Sequence, residues 1–245
     1  MSAAVEGAAA TYSDLTQPSR RHNITQIITQ TFRVSGTERA ADVAGMGDPY
    51  DYQSGKALTN WKNNLEYALV RGVVASGSSG VARQMAGIQA VVTSHFTARN
   101  SGTSLSETEF NAMVKEVWDD VGHEHVFDLV LVPFGLRQKI STFTAGNTRY
   151  VDAIDRRLTR PVMVYESDGG MHRIMAHKDV LNSAGTVHFL GLKEDKWRVA
   201  YYRKPFREQL AKDGDRENGQ IVGEVTLEYL AERANIKRTG YNQAG

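Results

Sequence analysis

The first clear pattern of hydrophobic and polar positions is an alternation with a period of two in HNITQIITQTFRV, residues 22–34. This period, together with many β-branched residues, predicts a strand of about 12 residues. The alternation places these residues on one face: Ile24, Gln26, Ile28, Gln30, Phe32 and Val34. Neither face is clearly apolar, and the preceding YSDLTQPSRR is typical of a turn. We therefore expect a hairpin that is stabilised largely by another chain, since an isolated hairpin is marginal in water.

A helical spacing of three and four follows over residues 48–71. Asp48 can cap a helix, Pro49 suits its first position, and Gly72 is placed to end it. The predicted helix has about 22 residues and spans roughly 33 Å. Its apolar stripe, which we expect to face the core, comprises Leu58, Trp61, Leu65, Ala68 and Leu69.

Beyond the flexible break ASGSSG (75–80), helices and strands are interspersed. Ser106 and Glu109 form a capping box, which predicts a helix that continues to residue 121. FDLVLV (127–132) predicts a buried strand, and the Asp-Gly-Gly turn at 168–170 predicts a hairpin. QIVGEVTLEYL (220–230) alternates again. The order lacks βαβ regularity, so the predicted fold class is α+β.

Composition narrows the range of functions. The chain has 245 residues, a net charge of +1 and no cysteine, so disulfides, thiolate metal sites and cysteine nucleophiles are excluded. The first ten residues do not resemble a signal peptide, and no apolar run approaches the ~20 residues of a membrane span. Residues 1–135 carry a net charge of −4 and residues 136–245 one of +5. Such halves could favour head-to-tail packing of identical chains, although solvated charge is the commoner explanation.

The stretch DGDRENGQIVGE, residues 213–224, nearly has the ligand spacing of a calcium-binding loop. That loop needs glycine at its sixth position and a helix after it, whereas Asn218 is sixth here and the pattern that follows is a strand. Asp-Gly-Asp and Asn-Gly are ordinary turn sequences. His123 and His125 are too close in sequence for a helical zinc motif. We predict no catalytic, cofactor-binding or metal-binding residues, and no enzymatic activity.

Several segments nevertheless resemble one family when they are taken in order along the chain. They are VEG (5–7), RRHNITQI (20–27), VSGT (34–37), Lys56, Glu66, RQMAGIQ (83–89), and LAKDGD (210–215) with Glu224, Leu227 and Glu228. This set resembles the major capsid proteins of tailed bacteriophages with the Hong Kong 97-type fold. The likeness covers nearly the whole chain.

The resemblance implies a division into four parts. Residues 1–45 would form an extended β-hairpin loop that lies over a neighbouring subunit, and residues 46–72 the spine helix of a peripheral domain. Residues 73–185 would form mainly an axial domain, and residues 186–245 would return to the peripheral domain, with LAKDGDRENG as a helix-to-strand corner. The inter-subunit contacts of the extended loop would be Asp14, Arg20, Arg21, Ile24, Ile28 and Phe32. Family members usually carry a further N-terminal arm, which here would be encoded elsewhere, removed or absent from this numbering.

The resemblance also implies a function. The protein would self-assemble into pentamers and hexamers of an icosahedral shell around packaged double-stranded DNA, contacted non-specifically. Portal and scaffolding or decoration proteins would be its partners, without a membrane or a cofactor. Its location would be the virion capsid, and the host cytoplasm during assembly. The alternatives are an encapsulin-type compartment shell, a nucleic-acid-binding protein that uses the basic segment 156–160, and a calcium-dependent hydrolase built on residues 213–224.

Overall fold

The computed structural model describes Glu6 and residues 20–41, 47–143, 164–181 and 186–242. Asp14 and the basic segment 156–160 lie outside the described residues. The strands are β1 Gln26–Ser35, β2 Phe96–Thr103, β3 Leu129–Val132, β4 Val164–Ser167, β5 Gly170–Ala176, β6 Val187–Leu192, β7 Trp197–Leu210, β8 Arg216–Tyr229 and β9 Ile236–Tyr241. The α-helices are α1 Gly36–Ala40, α2 Pro49–Arg71, α3 Ile88–Val91, α4 Glu107–Val121 and α5 Phe134–Phe143.

The strands form two sheets. The smaller sheet has the order β1-β8-β7, and both of its pairings are antiparallel. The larger sheet has six strands in the order β2-β9-β6-β3-β5-β4 and mixes parallel with antiparallel pairs. Helices and sheets follow one another without βαβ regularity, which agrees with the predicted α+β class.

Helix α2 occupies the predicted range and packs on the three-stranded sheet. The Asp48 carboxylate accepts a hydrogen bond from the backbone N–H of Tyr50, Pro49 opens the first turn, and Gly72 ends the helix. Because α2 matches the helix expected over 46–72, we call it the spine helix. Its buried side faces β1 and β8 with these residues: Tyr50, Ser54, Ala57, Trp61, Leu65 and Ala68.

The predicted core face of the spine helix is wrong at one position. Leu58 is 38% exposed, whereas Ala57 beside it is 3% exposed. The buried stripe is centred on Trp61, and Leu58 lies about 60° round the helix from it, at the edge of the contact with the sheet. Leu69 lies about 80° round the helix on the same side, near its C-terminal end, and is half-buried. The helix and the sheet approach each other closely at Ala57, and a small side chain fits in this contact.

Two large clusters of buried side chains form the cores. The first lies between helix α4 and the six-stranded sheet and includes Phe110, Phe127 and Phe189, whose rings meet edge to face. The second lies between the spine helix and the three-stranded sheet and is centred on Trp61. Ser106 caps α4 by accepting the backbone N–H of Glu109, as the capping pattern predicts.

Two expectations about the C-terminal part need correction. Residues 186–245 do not all return to the sheet on the spine helix, since β6 and β9 are central strands of the six-stranded sheet. In addition, a strand rather than a helix precedes the turn at residues 211–215, so β7 and β8 form a long hairpin. None of the helices in the described ranges is long and apolar enough to cross a membrane.

The packing of the spine helix gives a matched pair of substitutions. Leu65→Ala should lower the free energy of unfolding of the free subunit by about 2–5 kcal/mol, because it leaves a cavity against the sheet. Leu58→Ala should cost less than about 1 kcal/mol, because this side chain is largely solvated. Denaturant unfolding of the free subunits measures both. Equal losses would mean that the burial is assigned to the wrong face.

Candidate assembly surface

The side chain of Asn23 fastens the segment before β1 to the body of the protein. Its Nδ2 donates to the carbonyl oxygens of Ala86 and Leu227, each at 2.9 Å. Its Oδ1 accepts the backbone N–H groups of Ala86 at 2.9 Å and Ile24 at 2.8 Å. An asparagine side chain has two donor hydrogens and two acceptor lone pairs, so all four are used. The side chain thus fixes the position of the segment just before β1, a role that sequence analysis did not identify.

The predicted contact residues on either side of this anchor are placed differently. Arg20 and Arg21 precede it and are exposed, while Ile24 follows it and is half-buried. The carbonyl oxygen of Ile24 accepts a hydrogen bond from Thr226 Oγ1 at 3.1 Å. Arg20 and Arg21 are therefore available for contacts outside the subunit, and Ile24 is partly committed to it.

The prediction that Ile28 contacts a neighbour is wrong for its side chain, whereas the same contact stays a prediction for the half-buried Phe32. Ile28 is 6% exposed and lies in the core under the spine helix. Phe32 packs on the same core, with its ring centroid 5.1 Å from that of Tyr50. Strand β1 pairs with β8 over ten residues, so its alternation reflects packing inside the chain.

Glu224 forms a second fastening point beside Asn23. This carboxylate is 6% exposed and accepts a hydrogen bond from Thr25 Oγ1 at 2.7 Å. Arg83 and Arg203 each approach it to 3.2 Å. The hydrogen bond from Thr25, followed by the two guanidinium groups, lowers the pKa of Glu224, although burial acts in the opposite direction. The site joins the base of the N-terminal segment, the loop after the spine helix and the β7–β8 hairpin.

Strand β7 presents the most exposed apolar surface of the three-stranded sheet. Tyr202 is 77% exposed, and Val199, Tyr201 and Phe206 are between 39% and 45% exposed. In the described part of the chain β7 pairs only with β8, so its other edge carries unpaired backbone groups. Pro205, which lacks an N–H, is compatible with this edge position. Exposed edge strands of this kind are ready to pair or pack with another chain.

Charge adds a second property to β7. Arg198, Arg203, Lys204 and Arg207 all lie on this strand and are exposed. Arg203 pairs with Glu224 and Arg207 with Asp51. Arg198 and Lys204 have no ion pair within the described ranges. A partner surface for β7 would therefore combine apolar groups with carboxylates.

The geometry of the β7–β8 hairpin does not support the calcium reading of residues 213–224. The Asp213 carboxylate pairs with Arg216 at the turn, while Glu224 pairs with Arg83 and Arg203 well along β8. The two carboxylates that would be the first and last ligands of a calcium loop are thus engaged at different places. Across the described ranges, no three carboxylate or imidazole side chains are grouped closely enough to hold a metal ion.

The comparisons with known proteins are consistent with an assembly surface. The family model described as SU10 major capsid protein matches residues 1–242. A search of curated proteins gives no match.

Solved structures share the fold at low sequence identity. The capsid of the native GTA particle has a TM-score of 0.64 at 11% identity, covering 98% of this chain and 80% of that one. The SrpI encapsulin of Synechococcus elongatus PCC 7942 gives 0.62 at 10% identity, covering 91% and 76%. Gordonia phage Cozz gives 0.59 at 13% identity, covering 94% and 77%. These likenesses show the Hong Kong 97-type fold.

The buried Glu224 carboxylate predicts a dependence of stability on pH. Its pKa in the folded subunit is below the ordinary value of 4.5, so its stabilisation is present above that value. The stabilisation is lost as the pH falls through the folded pKa, because protonation then weakens the pairs with both arginines. In Glu224→Gln this component should disappear, so the variant should be clearly less stable than the wild type at pH 7, and the difference should shrink as the pH falls through the folded pKa of Glu224.

Denaturant unfolding of the free subunits from pH 7 to pH 3 measures this difference. Glu228→Gln is the matched control, because Glu228 lies on the same strand but is exposed. This control should follow the wild type at every pH. A constant gap between Glu224→Gln and the wild type would contradict the assignment.

Proposed function

The chain belongs to the SU10 major capsid protein family, and from this premise we propose that it forms the pentamers and hexamers of an icosahedral shell around packaged phage DNA. The observation that carries the proposal is the family match over residues 1–242. A major capsid protein is a structural shell protein located in the virion capsid, and its role is assembly rather than catalysis. Self-assembly with copies of itself follows from that role.

We propose that two surfaces make the contacts between subunits. The first is the extended loop before Asn23, which includes Asp14, Arg20 and Arg21 and would lie over a neighbouring subunit. Its support is the fourfold hydrogen bonding of Asn23, which fixes the segment just before β1, and the exposure of both arginines.

The second surface is the outer side of β7. Its support is the unpaired strand edge and the exposed apolar groups on it, which a shell contact would remove from water. The partner would be a second copy of this chain. Acidic side chains on that copy would complement the unpaired Arg198 and Lys204.

Further partners belong to the same proposal. A closed shell that is filled with DNA needs a portal, and scaffolding or decoration proteins would assist its assembly. Double-stranded DNA would be contacted non-specifically. Assembly would take place in the host cytoplasm, before the protein resides in the virion.

An encapsulin-type compartment is the alternative, because the Synechococcus elongatus structure shares the fold. At 10% identity that likeness concerns the fold, whereas the family match favours the phage capsid. The contents of particles isolated from their natural source separate the two functions. Packaged DNA supports the phage shell, and a protein cargo without DNA supports the compartment.

The β7 surface can be tested with Tyr202, whose side chain makes little contact inside the subunit. Tyr202→Asp should leave the thermal unfolding of the free subunit nearly unchanged but prevent closed shells, since it would place a buried charge in the contact. Tyr202→Phe is the matched control and should assemble. Negative-stain microscopy and sedimentation measure assembly. Normal shells from Tyr202→Asp would exclude β7 from the contact.

The extended loop can be tested by limited proteolysis. Trypsin should cut free subunits first at Arg20 or Arg21, because both are exposed and precede the Asn23 anchor. The same sites should be protected in assembled shells. The double variant Arg20→Gln, Arg21→Gln should lose the first cut in free subunits. Equal rates of cleavage in shells and free subunits would show that the loop does not lie over a neighbour.

A further inference from the structure

A pocket apart from both proposed contact surfaces lies on one face of the six-stranded sheet. Strand β9 places Lys237 opposite Leu190 and Thr239 opposite His188, so these four side chains share a face. Phe189 and Ile236 lie on the other face, in the core beneath α4. The cavity has a volume of about 440 Å³ and is lined by Gln89, Phe96, Arg99, Thr186, His188, Lys237, Thr239 and Gly240.

The pocket contains a half-buried ammonium group that forms no ion pair with any described residue. Lys237 Nζ lies 4.5 Å from the centre of the Phe96 ring and donates to the carbonyl oxygen of Gln89 at 2.5 Å. No carboxylate lies within ion-pairing distance of it in the part of the chain that the structure describes. Burial lowers the pKa of Lys237, as expected for a cation partly removed from water.

His188 adds an unpartnered polar group. It is 7% exposed, and its Nδ1 is buried without a hydrogen-bond partner among the described residues. Burial, together with the positive charges of Lys237 and Arg71, lowers the pKa of His188 to about 4. A buried polar atom of this kind usually has a partner, so a ligand is a physical explanation for it.

The nearest carboxylates are already engaged. Arg99 pairs with Glu109 at 2.9 Å, and Glu109 also accepts a hydrogen bond from Tyr241. Glu232 accepts the backbone N–H groups of Thr93 and Ser94, each at 2.6 Å. Lys237 and Arg71 raise the local positive potential, and Glu232 offsets it only from beyond ion-pairing distance of Lys237 within the described residues.

We propose that this pocket binds a phosphate-type oxyanion between Lys237, His188 and Thr239. The Lys237 ammonium would supply charge, while the His188 imidazole and the Thr239 hydroxyl would supply hydrogen bonds from the neighbouring strand positions. Such a ligand has several acceptor oxygens, which suits donors that converge from adjacent strands. The pocket lies within a single chain, so binding does not depend on shell assembly.

The same chemistry has two sources, free inorganic phosphate and the backbone phosphates of duplex DNA. Equilibrium dialysis of the free full-length chain against radiolabelled inorganic phosphate, at constant ionic strength set with chloride, measures binding. We expect about one phosphate per chain and a rise of a few degrees in the unfolding temperature at saturating phosphate. Lys237→Met, which keeps the aliphatic stem over Phe96, should weaken binding at least tenfold.

Two further variants make the experiment decisive. Thr239→Val keeps the shape of the side chain while removing the hydroxyl, and it should also weaken binding. Lys115→Met is the matched control, because Lys115 is an exposed lysine on α4, and it should bind as the wild type does.

Competition by a short DNA duplex distinguishes the sources. If the duplex displaces labelled phosphate from the wild type and does not bind at this site in Lys237→Met, the natural ligand is backbone phosphate. Retention of the label indicates free phosphate. The proposal is overturned if the wild type binds no phosphate, or if Lys237→Met and Thr239→Val bind it as tightly as the Lys115→Met control.

Discussion

The close approach of the spine helix to strand β8 is the constraint on which the rest of the fold depends. Gly219 and Gly223 lie on the side of β8 that faces the helix. A Cβ atom on Gly223 would lie 2.6 Å from the Trp61 indole, and one on Gly219 would collide with Phe32 and Tyr50. The absence of a side chain at Gly223 lets Trp61 reach across and donate its indole N–H to the carbonyl oxygen of Ile28 at 2.8 Å. The Trp61 side chain thereby connects the spine helix to β1, and β1 in turn pairs with β8.

A second polar centre, Asn235, connects the two sheets where the chain crosses between them. Its Oδ1 accepts the backbone N–H of Lys193, just after β6, at 2.9 Å and the indole N–H of Trp197, at the start of β7, at 2.8 Å. Its Nδ2 donates to the carbonyl oxygens of Ala231 and Glu232. The side chain is 1% exposed and fully hydrogen-bonded, so removing it would leave several buried backbone groups unpaired. Asn235 therefore fixes the chain at both crossings between the sheets, from β6 to β7 and from β8 to β9.

The sequence pattern predicted those elements that bury one face only and that have capping or helix-ending residues at their ends. The spine helix has Asp48 and Pro49 at its start, Gly72 at its end and a clear stripe. Strand β7 was missed for the opposite reason: it is exposed along almost its whole length, so burial imposes no period on it, and Pro205 interrupts the pattern. The packing of Ile28 and Phe32 was also missed, because it depends on a helix and on two glycines of β8 that are distant in sequence. Asn23 and Asn235 act largely through backbone groups, and Glu224 through side chains distant in sequence, so no local side-chain pattern reveals these roles.

The chemistry at Asn23 and Glu224 explains how the described segment before β1 is held in a free subunit. An apolar anchor would need a large buried surface at the point where the chain leaves the body, and part of that surface would face water before assembly. Asn23 and Glu224 achieve the anchoring with directional bonds to groups of the subunit itself. These bonds are complete without a neighbour, so the position of residues 20–25 is set before any contact forms. Less conformational entropy is then lost when a neighbouring subunit binds, which favours assembly through the exposed residues beyond the anchor.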